Sequence, residues 1–178
     1  MRADHPQLRP LHLLRDPLPE ARSRAQLKVV GIGNAWRRDD AAGLVVARRL
    51  RDSLPASVDV LEREGEPTAL IDLWAGAEAV WLVDAVLSGA APGTVLRLDA
   101  SKSDPPERLR GGTTHHFSLG ESIAVARALG RLPPRVVVFG IEGERFDLGE
   151  ELTPAVAAAI APVCSAIEEE VRELSAGR

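Results

Sequence analysis

The chain has 178 residues, 45% apolar and 27% charged, with 22 Lys and Arg against 26 Asp and Glu and a formal charge of −4. That is enough for one domain with a full core and too little for two, and the charge balance lacks the basic excess expected of a nucleic-acid partner. Its single cysteine, Cys164, excludes an intrachain disulfide. No run approaches the roughly 20 apolar residues of a membrane helix, so the expectation is a cytoplasmic protein that binds neither membrane nor nucleic acid.

In residues 1–26, Pro6, Pro10, Pro17 and Pro19 interrupt every helical possibility, and Arg2, Arg9, Arg15, Arg22 and Arg24 alternate with Asp4, Asp16 and Glu20. The composition predicts a disordered N-terminal tail that lacks the apolar centre of a secretory signal and is too rich in acids and prolines for a transit peptide. A single folded domain is expected over 27–178.

Leu27 to Ile32 is a short apolar run closed by Gly33-Asn34, the pattern of a buried parallel strand entering a tight turn. Asp39-Asp40 then opens a helix with Leu44, Val45, Ala47 and Leu50 near one face, ending before Pro55. Val58–Leu61 forms a second strand, and Glu66-Pro67 starts a second helix with Leu70, Leu73, Trp74 and Ala77 facing inward. A third strand, Ala79–Val83, ends on Asp84. After the Ala91-Pro92-Gly93 turn, Thr94–Leu98 alternates like a half-exposed, antiparallel edge strand.

Residues 99–112 read as a loop. Ser118 and Glu121 fit a capping box for a third helix, which places His115 and His116 just ahead of it. Arg135–Ile141 is the last central strand, and Thr153-Pro154 caps a final helix with Val156, Ile160, Val163, Ile167, Val171 and Leu174 on one face. The order β-α-β-α-β-β-α-β-α predicts an α/β three-layer sandwich: a twisted, mostly parallel sheet with one antiparallel edge strand and helices on both faces.

In such a sheet the strand C-termini share one edge, where residues distant in sequence converge. Asp40, Asp84 and His115 are the candidates there. Asp39 and Asp40 could equally be helix-capping acids. Asp84 is harder to explain as structural, because an acid directly after Val80–Val83 meets an interior that penalises unpaired charge. A loop histidine is usually solvated, yet neutral imidazole is also a common metal ligand. Together, two carboxylates and an imidazole can bind a divalent cation and leave positions open for substrate or water. Gly31-x-Gly33 does not continue into a dinucleotide fingerprint, because Trp36 stands where the third glycine belongs. Gly-x-Ser-x-Gly, His-Glu-x-x-His and Cys-x-x-Cys patterns are absent, and Cys164, on the last helix, reads as a buried structural thiol.

Gly31-Ile32-Gly33-Asn34 with Asp39–Gly43, then Leu82–Val86 with Ala91–Thr94, then His115 followed by Leu119 and Glu121, resembles the nickel-iron hydrogenase maturation proteases in order and spacing. The likeness spans about residues 27–172. It implies a twisted sheet between helix layers, with Asp40, Asp84 and His115 as the metal-binding and catalytic residues. It also implies an endopeptidase that removes the C-terminal extension of a hydrogenase large-subunit precursor once nickel has been inserted. The nickel would then arrive with the substrate rather than as a resident cofactor.

Two departures stand out: Ala41 replaces the family's usual glycine, and Glu64-Gly65-Glu66-Pro67-Thr68 replaces its Gly-Gly-Thr-like turn, which bears on substrate choice. His116 is the alternative to His115 as ligand, with the four-residue gap to Leu119 favouring His115. Two further readings stay open: a protease of the same fold acting on another precursor, and a non-catalytic metal-binding assembly factor.

Overall fold

The computed structural model describes residues 27–64, 70–103 and 119–177. The expected tail, the Glu66-Pro67 start of the second helix, and His115, His116 and Ser118 lie outside these residues. The strands are β1 (Leu27–Ile32), β2 (Val58–Arg63), β3 (Ala79–Val86), β4 (Val95–Asp99) and β5 (Arg135–Glu142). A 3-10 turn over Arg38–Ala41 leads into α1 (Ala42–Ser53), and α2 (Leu70–Leu73), α3 (Leu119–Ala128) and α4 (Pro154–Ala176) follow in chain order.

The sheet order is β2-β1-β3-β5-β4, parallel except where β4 runs antiparallel to β5 at the edge. β1 and β3 are buried along their whole length, as near-continuous apolar runs covered on both faces must be, whereas β4 alternates and stays half-exposed. The expected three-layer arrangement with one antiparallel edge strand is therefore present.

Period-two alternation divides the core. Trp81, Val83, Val137 and Phe139 face the layer of α1 and α4, while Val30, Val80, Leu82 and Val138 face that of α2 and α3. In α1 Ala42, Leu44, Val46, Ala47 and Leu50 are buried, so Leu44, Ala47 and Leu50 are buried as expected, whereas Val45, also expected inward, is half-buried at the margin. β3 also runs further than its apolar composition predicts. Ladder pairs Asp84↔Gly140 and Val86↔Glu142 carry it two residues past Asp84, because backbone pairing with β5 does not depend on the polarity of the side chain.

Candidate active site

β1 leads through α1 to β2 on one side, and β3 leads on to β4 and β5 on the other, so the connections leaving the C-termini of β1 and β3 diverge between these two strands. Crevices in open α/β sheets form above the strand C-termini at such a switch. Asp40, in the turn after β1, and Asp84, on β3, both lie at this point.

Two glycines make the approach possible. A Cβ on Gly33, whose φ is 151°, would collide with the Asp40 carbonyl, and one on Gly43 would collide with the carbonyls of Ile32 and Val83. Gly31, where a Cβ would meet the Gly43 carbonyl, acts with them, so the Gly31-x-Gly33 pair that suggests a nucleotide loop serves instead to seat the start of α1 against β1 and the turn.

The adjacent aspartates do different things. Asp39 is fully buried, and its carboxylate accepts the backbone N–H groups of Glu144 (2.9 Å), Arg145 (2.9 Å) and Thr153 (2.7 Å) together with the Thr153 hydroxyl (3.0 Å). Burial pushes its pKa up, but these donors outweigh burial and hold it below the ordinary carboxylate value. Asp39 is thus a clamp for the loop between β5 and α4. The cap position of the 3-10 turn is Arg37 and that of α1 is Ala41, so neither aspartate occupies an N-cap. Thr153 occupies the N-cap position of α4 as expected, yet makes no side-chain cap bond, because its hydroxyl donates to Asp39.

Asp40 and Asp84 are each only 4% exposed. Burial, and then the charge of Asp40, push Asp84 up to about 8, with a smaller opposing effect from the Ala85 backbone N–H. Alternation from Val80 and Leu82 places Asp84 on the sheet face covered by α3, whose first described residue, Leu119, packs in that same apolar layer. His115, the third predicted ligand, precedes Leu119 outside the described residues, and among the described residues no group of three His, Cys, Asp or Glu side chains could hold a metal ion. The structure therefore brings together two of the three predicted residues.

Glu142 is a buried acid that the sequence reading passes over. It is 2% exposed at the end of β5, and its carboxylate accepts the Ser88 and Gly89 backbone N–H groups (2.9 and 2.8 Å) and the Ser88 hydroxyl (2.7 Å). It pins the turn that follows Asp84. Its signal was available, since it follows Val136–Ile141 just as Asp84 follows Val80–Val83. Cys164 is buried, with its Sγ 4.0 Å from the Val46 carbonyl, and burial raises its pKa, which fits a structural thiol. Cavities of about 400 and 270 Å³ lie beside the C-terminus of α1 and beside Trp74–Ala77, at the opposite edge of the sheet from the two acids.

The family model of HycI, hydrogenase maturation protease, matches residues 45–170. The chain belongs to this family. The HupD hydrogenase expression/formation protein of Rhodobacter capsulatus is 33% identical to the protease over 154 residues, covering 83% of this chain and 70% of HupD. The hydrogenase 2 maturation protease of Escherichia coli K12 is 26% identical over 151 residues, 83% of this chain and 92% of its own.

Among solved structures, the E. coli hydrogenase maturating endopeptidase HybD superposes with a TM-score of 0.70 at 25% identity, over 83% of this chain and 93% of its own. The HycI maturation protease of Thermococcus kodakarensis shares the fold, with a TM-score of 0.65 at 24% identity over 82% and 91% of the two chains. The protease is an endopeptidase of hydrogenase maturation. Among its described residues no helix is long and apolar enough to cross a membrane.

Proposed function

We propose that the protease removes the C-terminal extension of the nickel-loaded large-subunit precursor of a nickel-iron hydrogenase, in the cytoplasm. One observation carries this reading. Asp84 stands on a buried strand beside a second buried acid, and burial with the Asp40 charge lifts its pKa to about 8. A divalent cation docked beside the Asp84 carboxyl would take the place of the proton that burial and the Asp40 charge keep on it.

In this reading the nickel is part of the substrate. Asp40 and Asp84 supply oxygen donors and His115 a nitrogen donor, completing the coordination of an ion the precursor already holds. The chain offers no thiolate there, and such donors would not keep nickel from the thiolates of a hydrogenase centre. Nickel so held would supply Lewis-acid polarisation of the scissile carbonyl or of a water. The role of this chain is to fix the ion's position: Asp39 and Glu142 immobilise the loops on either side of the acid pair through backbone N–H donors.

The test is intact-mass measurement of nickel-loaded and nickel-free precursor, before and after incubation with the protease. Loss of a C-terminal peptide from the loaded form alone is the expected result. Equal cleavage of both forms would remove nickel from the reading, and stoichiometric binding without any mass change would make the protein an assembly factor.

A further inference from the structure

The two anchoring acids, Asp39 and Glu142, are served by one stretch of chain. Glu142 closes β5, and its carboxylate accepts the Ser88 and Gly89 N–H groups in the loop that leaves β3 after Asp84. Glu144 and Arg145, which follow it, donate their N–H groups to the Asp39 carboxylate (both 2.9 Å). The Asp39 N–H returns a bond to the Arg145 carbonyl (3.1 Å). Residues 142–145 therefore run from the loop behind Asp84 to the turn that carries Asp40.

Backbone bonds hold this segment from both neighbouring strands. Glu142 N–H donates to the Thr94 carbonyl (2.9 Å), Gly93 N–H to that of Glu142 (2.8 Å), and Gly143 N–H to that of Val86 (3.0 Å). Gly143 is the joint. A Cβ there would overlap the Phe146 ring, which packs on the layer of α1 and α4, and would touch the Asp39 Cβ.

Each acid of the pair is a short step from the segment. Asp84 faces Gly140 in the ladder, just before Glu142 on the same strand. Asp40 is joined to Asp39 by a single planar peptide, so bonds to both the carboxylate and the N–H of Asp39 also fix where Asp40 begins. Displacing either end of the segment shifts one acid relative to the other.

We infer that residues 142–145 act as one strap that sets the spacing of Asp40 and Asp84, and that Asp39 and Glu142, its two fastenings, are positioning residues for the cleavage reaction. This rests on Asp40 and Asp84 being the reacting pair. It goes beyond two separate anchors, because releasing either fastening loosens the other. A misplacement of about 1 Å in groups around a reacting centre costs on the order of 10²-fold in rate, so the consequence falls on kcat rather than on binding.

The experiment uses Asp39→Asn, Glu142→Gln and the double variant, with Glu170→Gln as the control. Glu170 is another acid with several donors, accepting Trp81 Nε1–H (3.0 Å), Arg97 Nε–H (2.7 Å) and an Arg135 Nη2–H (2.9 Å). It lies at the other end of the sheet, where β5 begins, so its loss destabilises the fold without reaching the strap. Amide hydrogen exchange is measured residue by residue on the full chain without substrate. Glu142→Gln should speed exchange about 10-fold at Glu144 and Arg145 as well as at Ser88 and Gly89, Asp39→Asn should do the same at all four, and Glu170→Gln at none of them. With nickel-loaded precursor, each strap variant should lower kcat about 10-fold with KM within about twofold. The double variant should fall no further than the less active single variant, and Glu170→Gln should keep the wild-type kcat. Assays run well below every thermal midpoint, and Glu142→Gln, the milder change, decides alone if Asp39→Asn does not fold.

Exchange speeded only in the loop beside each substitution, or a double variant whose loss is the product of the two singles, would overturn the strap. A kcat loss shared by Glu170→Gln, or a KM rise at constant kcat, would overturn the positioning role. Strap variants with full kcat beside an inactive Asp84→Asn would sink this inference and leave the acid pair standing. Asp84→Asn cleaving at the wild-type rate would overturn the acid pair and the inference with it. No cleavage by the wild type would overturn the precursor as substrate, and the exchange measurement would then decide the strap by itself.

Discussion

Four buried acids stand at one end of this sheet, and they divide into two kinds. Asp39 and Glu142 each accept several hydrogen bonds from backbone N–H and hydroxyl groups, as buried carboxylates in a stable fold should. Asp84 instead faces burial and the charge of Asp40, and its pKa rises to about 8. The first pair anchors loops, and in the second burial and a neighbouring charge keep a proton on Asp84. Being buried and acidic does not by itself mark a functional group; the donors around it decide.

The comparison is broken most directly at Asp84. Asp84→Asn should lower processing of nickel-loaded precursor by about 10³-fold or more, as loss of a residue essential to the reacting centre does. The same variant should be more stable than the wild type when nickel is absent. In the folded chain Asp84 keeps its proton up to about pH 8, while in the unfolded chain it loses it near the ordinary value of 3.8. The folded state therefore binds more protons between those values, and the Asp84 contribution to stability is full below 3.8 and lost as pH rises through 8. Thermal midpoints with a chelator present should show the Asn variant gaining on the wild type by roughly 5–10 °C at pH 8 and by little at pH 4. A variant less stable than the wild type at pH 8 would place Asp84 with the satisfied acids.

Asp39→Asn should do the reverse. It removes the charge from a carboxylate that accepts four hydrogen bonds, and urea unfolding at pH 7 should show a loss of about 3 kcal/mol. Because its folded pKa is depressed, the stability Asp39 provides is present above its unfolded value of 3.8 and disappears as pH falls through the lower folded value. The two variants should thus have pH profiles of opposite slope. Glu142→Gln should cost about 2 kcal/mol by the same assay, since its amide can replace only part of what the carboxylate accepts from Ser88 and Gly89. A cost below about 0.5 kcal/mol would remove Glu142 from the anchoring pair.

Much of this was legible before the structure. The apolar runs of β1, β3 and β5 and the alternating edge strand gave the layer order, because burial on both faces or on one imposes different patterns. Asp84 was legible as an acid closing an apolar strand. The same rule applied to Glu142 would have found a structural group, since Ser88 and Gly89 reach it through backbone atoms that carry no sequence signature. The roles of Asp39 and Asp40 could not be separated for a similar reason: the donors that satisfy Asp39 come from Glu144, Arg145 and Thr153, more than a hundred residues away.

The smallest effect is expected at Ala41, where the family pattern has a glycine. Ala41 is 4% exposed and sits at φ −78°, ψ −5°, a right-handed helical conformation open to any residue. A glycine there is not required by the backbone, and the methyl group is buried at the start of α1. Ala41→Gly should therefore cost about 0.5–1 kcal/mol, through greater freedom of the unfolded chain and loss of a buried methyl, and leave processing of the precursor unchanged. A change in which precursor is cut, with stability altered no more than that, would show that this position reads the substrate and would extend the substrate-facing side of the crest from Asp40 to the residue beside it.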